Sequence, residues 1–152
     1  MLTLLALIQF ALPVDTALLY KVADAQQVPR QVALAVAWME TRTGTKGNSY
    51  LGPGREQCDS TGCHRVCREV GRYQVNPCIS FNLEGCKQLR ILEQNITCGM
   101  GILRYLYSRD SSWTEAIRRY NGSGPRAREY QQKALAYIGW LSLRGKYGTG
   151  SF

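Results

Sequence analysis

Eight consecutive apolar residues, Val32 to Met39, are followed by a single acidic one, Glu40. The run VALAVAWM has no polar face, and Pro29 stands where a first helical residue is favoured. It therefore reads as a helix buried on most sides, around which the remaining chain must pack. Glu40 closes that helix. A carboxylate at the rim of an apolar helix loses hydration, which disfavours its charged form and raises its pKa toward the range of a general acid. The alternative reading is that Glu40 marks where the helix reaches water.

The chain has 152 residues and is 45% hydrophobic, enough for one core and one domain. Nineteen Lys and Arg against eleven Asp and Glu give a net charge of +8. Such a surface attracts polyanions: nucleic acid, acidic lipid, or the anionic polymers of a bacterial wall. All six cysteines, Cys58, Cys63, Cys67, Cys78, Cys86 and Cys98, fall in one middle segment. Their even number in a loop-rich stretch fits disulfides formed in an oxidising compartment. Zinc is the rival, with Cys58, Cys63, Cys67 and His64 as ligands, although no clean pair of Cys-x-x-Cys knuckles is present. Six cysteines allow fifteen connectivities, among which sequence does not choose.

Residues 1–14 form an apolar N-terminal segment, too short to span a bilayer as a helix and without the basic residue that opens a secretory signal. It reads either as an atypical export segment or as part of the core. The small-residue pattern Ala23-Asp24-Ala25 lies inside a predicted helix over Thr16 to Gln26, capped by Asp15. Residues 42–53 are polar and glycine-rich, so a loop, and with it a ligand cleft, is expected beside Glu40. Val70 to Pro77 reads as a short extended piece in which Gln74 offers a donor and an acceptor to an amide or a sugar hydroxyl.

Helical period returns over Gln94 to Arg109, with Ile96, Met100, Leu103, Leu106 and Tyr107 facing a core. Gly99 and Gly101 inside that helix each cost about 1 kcal/mol relative to Ala, which implies tight packing or an approaching ligand. Ser112 with Glu115 forms a capping box for a helix ending at Tyr120. A last helix spans Arg126 to about Leu143, burying Tyr130, Ala134, Tyr137, Ile138 and Leu141, before a loose tail over 144–152.

Four stretches, METRTG at 39–44, GRYQVNP at 71–77, NITCGMGILRYL at 95–106 and AIRRYNGSG at 116–124 followed by Arg128-Glu129-Tyr130, resemble in order and spacing the catalytic domain of soluble lytic transglycosylases. That family is a branch of the lysozyme-like superfamily, and the match covers about residues 15–138. The resemblance implies a mainly α, lysozyme-like α+β domain over 15–143, carrying here a small cysteine-rich loop or β-hairpin insertion. It implies Glu40 as the catalytic acid/base, with Gln74, Tyr120, Asn121 and Thr41 contacting substrate, and Asn95 and Gly99 as structural residues of a cleft-forming helix. This chain departs from the family in having Thr41 where a Ser usually follows the catalytic Glu. It also has Cys67-Arg68-Glu69-Val70 where Ser-x-x-Gly-Ala usually leads into the glutamine motif.

A member of that family cleaves the β-1,4 bond between N-acetylmuramic acid and N-acetylglucosamine, leaving 1,6-anhydro ends, and needs one carboxylate and no cofactor. Glu56, Asp59 and Glu69 are the acids that would turn this into lysozyme-type hydrolysis, or else they are solvated loop charges. The expected partner is the peptidoglycan glycan strand, bound by a monomer with no membrane span, exported to the periplasm, the wall or a phage virion. A basic Cys/His zinc module binding nucleic acid and a non-catalytic wall-binding module are the other readings, the former weakened by the dispersion of the basic residues and the lack of a nucleic-acid motif.

Overall fold

The computed structural model describes residues 16–41, 51–78 and 86–144. The apolar segment 1–14, the expected cap Asp15, most of the glycine-rich stretch and residues 145–152 of the tail lie outside them. Among the described residues five helices and one two-stranded antiparallel sheet follow in order: α1 Thr16–Ala25, α2 Arg30–Glu40, β1 Arg55–Asp59, β2 Gly62–Val66, α3 Leu92–Asp110, α4 Trp113–Tyr120 and α5 Gly124–Leu143. No helix among the described residues is long and apolar enough to cross a membrane.

The apolar run forms the buried centre. Every residue of α2 from Gln31 to Trp38 is buried, against α1 on one side and α4 and α5 on the other. Trp38 stacks on Tyr137 of α5 with ring centroids 4.8 Å apart. Pro29 is the residue before the first helical turn, its carbonyl accepting from Ala33 N–H at 3.0 Å, rather than the first residue within it. The ring that favours a helix start is thus used one position earlier than expected.

Helix α3 packs on α1 and α4, and its predicted stripe is buried at Ile96, Met100 and Leu103. Tyr107 stacks on Trp113 at 4.1 Å across the α3–α4 corner. There Ser111 takes a left-handed φ of 51° and Ser112 accepts from Glu115 N–H at 3.3 Å, as the capping box predicts. Helix α5 starts two residues before the expected Arg126, because Pro125 occupies its first turn, where a missing N–H costs nothing.

The cysteine segment contains the sheet and three disulfides, joining Cys58 to Cys63, Cys67 to Cys78 and Cys86 to Cys98. Each cysteine pairs with its neighbour in sequence, so the closed loops are short and each constrains the unfolded chain locally. Cys58 and Cys63 stand opposite each other in the β1–β2 register, and no residue of either strand is buried. Cys86–Cys98 ties the chain ahead of α3 to the helix itself.

The expectation of an extended piece over Val70 to Pro77 is corrected. Val70 and Val75 exchange backbone hydrogen bonds at 2.9 and 3.0 Å and enclose a tight turn, with φ of 75° at Gly71 and 44° at Gln74. Glycine supplies one left-handed position and Gln74 bears the other, a conformation uncommon for a residue with a side chain.

The two α3 glycines separate physically. A Cβ on Gly99 would overlap the Tyr73 ring, so tight packing explains this glycine, whereas a Cβ on Gly101 would meet only Gln26 Oε1 at 3.7 Å. Tight packing is therefore wrong for Gly101. Gly99→Ala is expected to destabilise by about 1 to 3 kcal/mol through overpacking, and Gly101→Ala to be neutral or to stabilise by up to about 1 kcal/mol through helix propensity. Urea denaturation of both variants checks this, and equal midpoints would contradict it.

Candidate active site

Glu40 is the last residue of α2, half-buried where the apolar run ends. Tyr130 of α5 donates its hydroxyl to Glu40 Oε1 at 2.6 Å. Burial raises the pKa of Glu40 from 4.5 to about 7; the Tyr130 hydrogen bond opposes the rise and the negative charge of Glu69 adds to it. The C-terminal end of a helix, where carbonyl dipoles converge, also disfavours a negative charge. The carboxyl therefore exchanges its proton near neutral pH, as an acid that must first give and then take one requires.

A second wall comes from the 70–75 turn, which Asn95 holds. This fully buried side chain accepts from Tyr73 N–H at 2.8 Å and donates to Val70 O at 2.7 Å and to Leu89 O at 3.0 Å. Tyr73 then links the turn to the core: its ring lies on Gly99, and its hydroxyl donates to Ala33 O of α2 at 2.7 Å. The Tyr73 carbonyl accepts from the Tyr120 hydroxyl at 2.8 Å. Burial and the charge of Glu40 both push the Tyr120 and Tyr130 hydroxyls well above the usual phenol range, so both remain donors.

Around Gln74 the packing is close. Gln74 Nε2 donates to Gly71 O at 2.9 Å, while Oε1 points toward Gly52, where a Cβ would lie 2.6 Å from it and would overlap the Glu69 carboxylate. Glu69 Oε2 accepts from Gly54 N–H at 3.0 Å, and Glu69 O accepts from Gly52 N–H at 2.8 Å. Arg68 Nε donates to Gly52 O at 2.9 Å and fixes the same strip of backbone. Glycine at 52 is thus what allows the carboxylate of Glu69 and the amide of Gln74 to converge.

These contacts bring Glu40, Tyr120, Gln74 and Glu69 into one neighbourhood. Asn121 caps α4 beside Tyr120 and is exposed. Thr41 does not join them. It is fully buried, and its hydroxyl donates to Ala37 O at 2.6 Å, so it terminates α2 and the expectation of a substrate contact is corrected. Tyr120, expected as a substrate contact, gives its hydroxyl hydrogen to the Tyr73 carbonyl, which ties α4 to the turn.

Among the three further acids, Glu69 is the one whose charge acts on Glu40. Glu56 is exposed on β1, and Asp59 accepts from Thr61 N–H at 2.8 Å and from its hydroxyl at 2.6 Å, which places both with the solvated hairpin charges. The zinc reading fails on the thiols: Cys58, Cys63 and Cys67 are all disulfide-bonded and supply no thiolate. A groove of about 790 Å³ adjoins the 70–75 turn at Val70 and is lined also by Pro77, Cys86, Lys87, Gln88 and Leu89 among others.

Tyr130 and Tyr73 were not marked as site residues by the sequence. Tyr130 stood in one of the resembling stretches without a role and otherwise as a core-facing position of α5, a period that cannot tell a packed ring from a hydroxyl aimed at a carboxylate. For Tyr73 the available signal was Gly99, a gap in a helix that a ring could fill. Compared with known proteins, the chain matches no family model and no curated sequence.

Two outcomes follow from the Glu40 environment. Because its folded-state pKa is raised, protonated Glu40 favours the fold; this contribution falls as pH rises from about 4.5 and is gone above about 7. Glu40→Gln is expected to be more stable than the wild type at pH 8 by up to about 3 kcal/mol and nearly equal to it at pH 4. Denaturant melts at the two pH values decide, and the same difference at both would contradict the assignment. Tyr130→Phe removes a donor that favours the ionised carboxylate, so the Glu40 pKa should rise by about one further unit. Carboxyl NMR titration reads this, and a fall would place another group in control.

Proposed function

We propose that this protein is an exported enzyme of glycan cleavage, acting on the β-1,4 bond between N-acetylmuramic acid and N-acetylglucosamine in peptidoglycan as a lytic transglycosylase. The observation that carries the reading is Glu40: a desolvated carboxyl with a pKa raised to about 7, held by Tyr130 at the end of the buried helix. In the proposed reaction protonated Glu40 gives its proton to the bridging oxygen. The carboxylate so formed takes the proton of the muramic acid 6-hydroxyl as that oxygen attacks C1, closing the 1,6-anhydro ring. One residue is restored to its starting state at the end of the cycle, and no cofactor is called for.

Several features support the partner. The net charge of +8 attracts a wall rich in carboxylates and anionic polymers. Three disulfides suit an oxidising compartment, as an enzyme exported to the periplasm, the wall or a virion would meet. The exposed Asn121 offers a donor and an acceptor of the kind that sugar amides and hydroxyls engage, and the proposed enzyme acts as a monomer on a single strand.

The decisive experiment is digestion of purified cell walls by wild type and Glu40→Gln, with mass spectrometry of the released muropeptides. Wild type should release fragments, and Glu40→Gln should lower the rate by about 10² to 10⁴ or more while circular dichroism shows an intact fold. A folded Glu40→Gln protein that clears walls at the wild-type rate would remove Glu40 from the chemistry.

A further inference from the structure

We propose that the groove beside the 70–75 turn binds the acidic stem peptide that muramic acid carries, so that the enzyme selects glycan strands whose peptides are in place. The inference rests on the glycan-cleaving reading of Glu40 and adds a specificity to it. It starts from a groove that cleavage of a bare strand leaves unused. Most of the lining, residues 86–91, lies outside the four stretches that resemble the transglycosylases.

The groove, of about 790 Å³, falls within the roughly 300–1,000 Å³ of pockets that enclose small ligands. The buried part of its lining is apolar, with Cys86 and Leu89 buried and Val70 half-buried. Its two sides are tied together from beneath. The Asn95 amide donates to Val70 O at 2.7 Å on one side and to Leu89 O at 3.0 Å on the other, and the Cys86–Cys98 disulfide anchors the 86–91 lip to α3. A cleft with fixed walls gives up little conformational freedom when it binds, which lowers the cost of holding a flexible ligand.

The charges of the groove choose its occupant. Lys87 is exposed there and forms no ion pair among the described residues, Arg90 adds a second positive charge, and no acidic residue is found among the described lining. Gln88, also exposed, offers an amide to a peptide backbone. Cations over an apolar bed suit a short peptide that has carboxylates and methyl-sized side chains, which a stem peptide supplies through its glutamate and its alanines. A polyol phosphate would meet the cations equally well but has no apolar group for Val70 and Leu89. The placement also suits a branched substrate. The stem peptide leaves from the same muramic acid whose C1 bond breaks, and one turn serves both sites: Val70 lines the groove, while Tyr73 O accepts from Tyr120 beside the candidate acid.

The test applies two readouts to the full chain, as wild type and as Lys87→Glu. Amide NMR follows titration with the soluble peptide L-alanyl-D-glutamyl-diaminopimelyl-D-alanine, and digestion compares intact walls with walls whose peptides an amidase has removed. The expected result is shifts at the Val70, Lys87, Gln88 and Ile91 amides and binding about tenfold weaker in Lys87→Glu, with a similar fall of about tenfold in that variant's ratio of cleavage on peptide-bearing to stripped strands. Lys87 is exposed, so the substitution spares the core. A peptide that shifts no groove amide, or that binds Lys87→Glu as tightly as wild type, overturns the assignment of the groove, and shifts from poly(glycerol phosphate) alone overturn it in favour of a phosphate polymer. An unchanged cleavage ratio in Lys87→Glu overturns the selection of strands. Groove shifts without cleavage of either wall preparation support the peptide site and overturn instead the glycan-cleaving reading of Glu40.

Discussion

Asn95 is one small side chain on which the geometry of the site depends. Its carbonyl and amide serve three backbone groups from two separate segments, two of them fully away from water. A buried amide left without such partners would cost about 1 to 3 kcal/mol per group, so the turn and the helix are held in one relative placement. From that placement follow the positions of Tyr73, of the carbonyl that receives Tyr120, and of Gln74 in its left-handed conformation. A different residue at 95 would leave these three groups without their partner and loosen the tie between the turn and α3.

The other wall follows from α2. A helix with no polar face has to be enclosed, and once α1, α4 and α5 enclose it, the first residue able to carry charge stands at the edge of the enclosure. The raised pKa of Glu40 is thus a by-product of the packing that stabilises the domain. Tyr130 moderates it, since a hydroxyl donor stabilises the charged form that burial penalises. The packing that stabilises the domain and the cost of charging Glu40 are thus set by the same residues.

Much of this was legible in the sequence because the signals were periodic or local. The α2 run, the Ser112–Glu115 box and the buried positions of α5 were readable, as was the even cysteine count that the three disulfides bear out. The turn over 70–75 was not, because left-handed Gln74 gives no compositional cue and the valines at its ends favour strands. The burial of Thr41 was likewise hidden: a hydroxyl residue beside a candidate acid looks available to a ligand until the helix end claims it. Which of three acids acts on Glu40 depends on contacts between segments distant in sequence, and Glu69 was marked only as one of them.

The β1–β2 hairpin stands apart from all of this. Its strands have no buried residue, and one disulfide links them at Cys58 and Cys63, one register pair away from the turn. Segments with few buried contacts open locally at low free-energy cost, whereas core helices open only with the whole domain. The hairpin amides therefore exchange with solvent on a faster schedule than those of α2 and α3. Because unfolding exposes little additional apolar surface there, the hairpin adds little to the heat-capacity change of the domain, which comes from the helices and the Tyr73–Val75 turn packed on them. Thermodynamically the chain is a helical domain carrying a covalently latched appendage, and the appendage can change its sequence without passing the consequences on to the core.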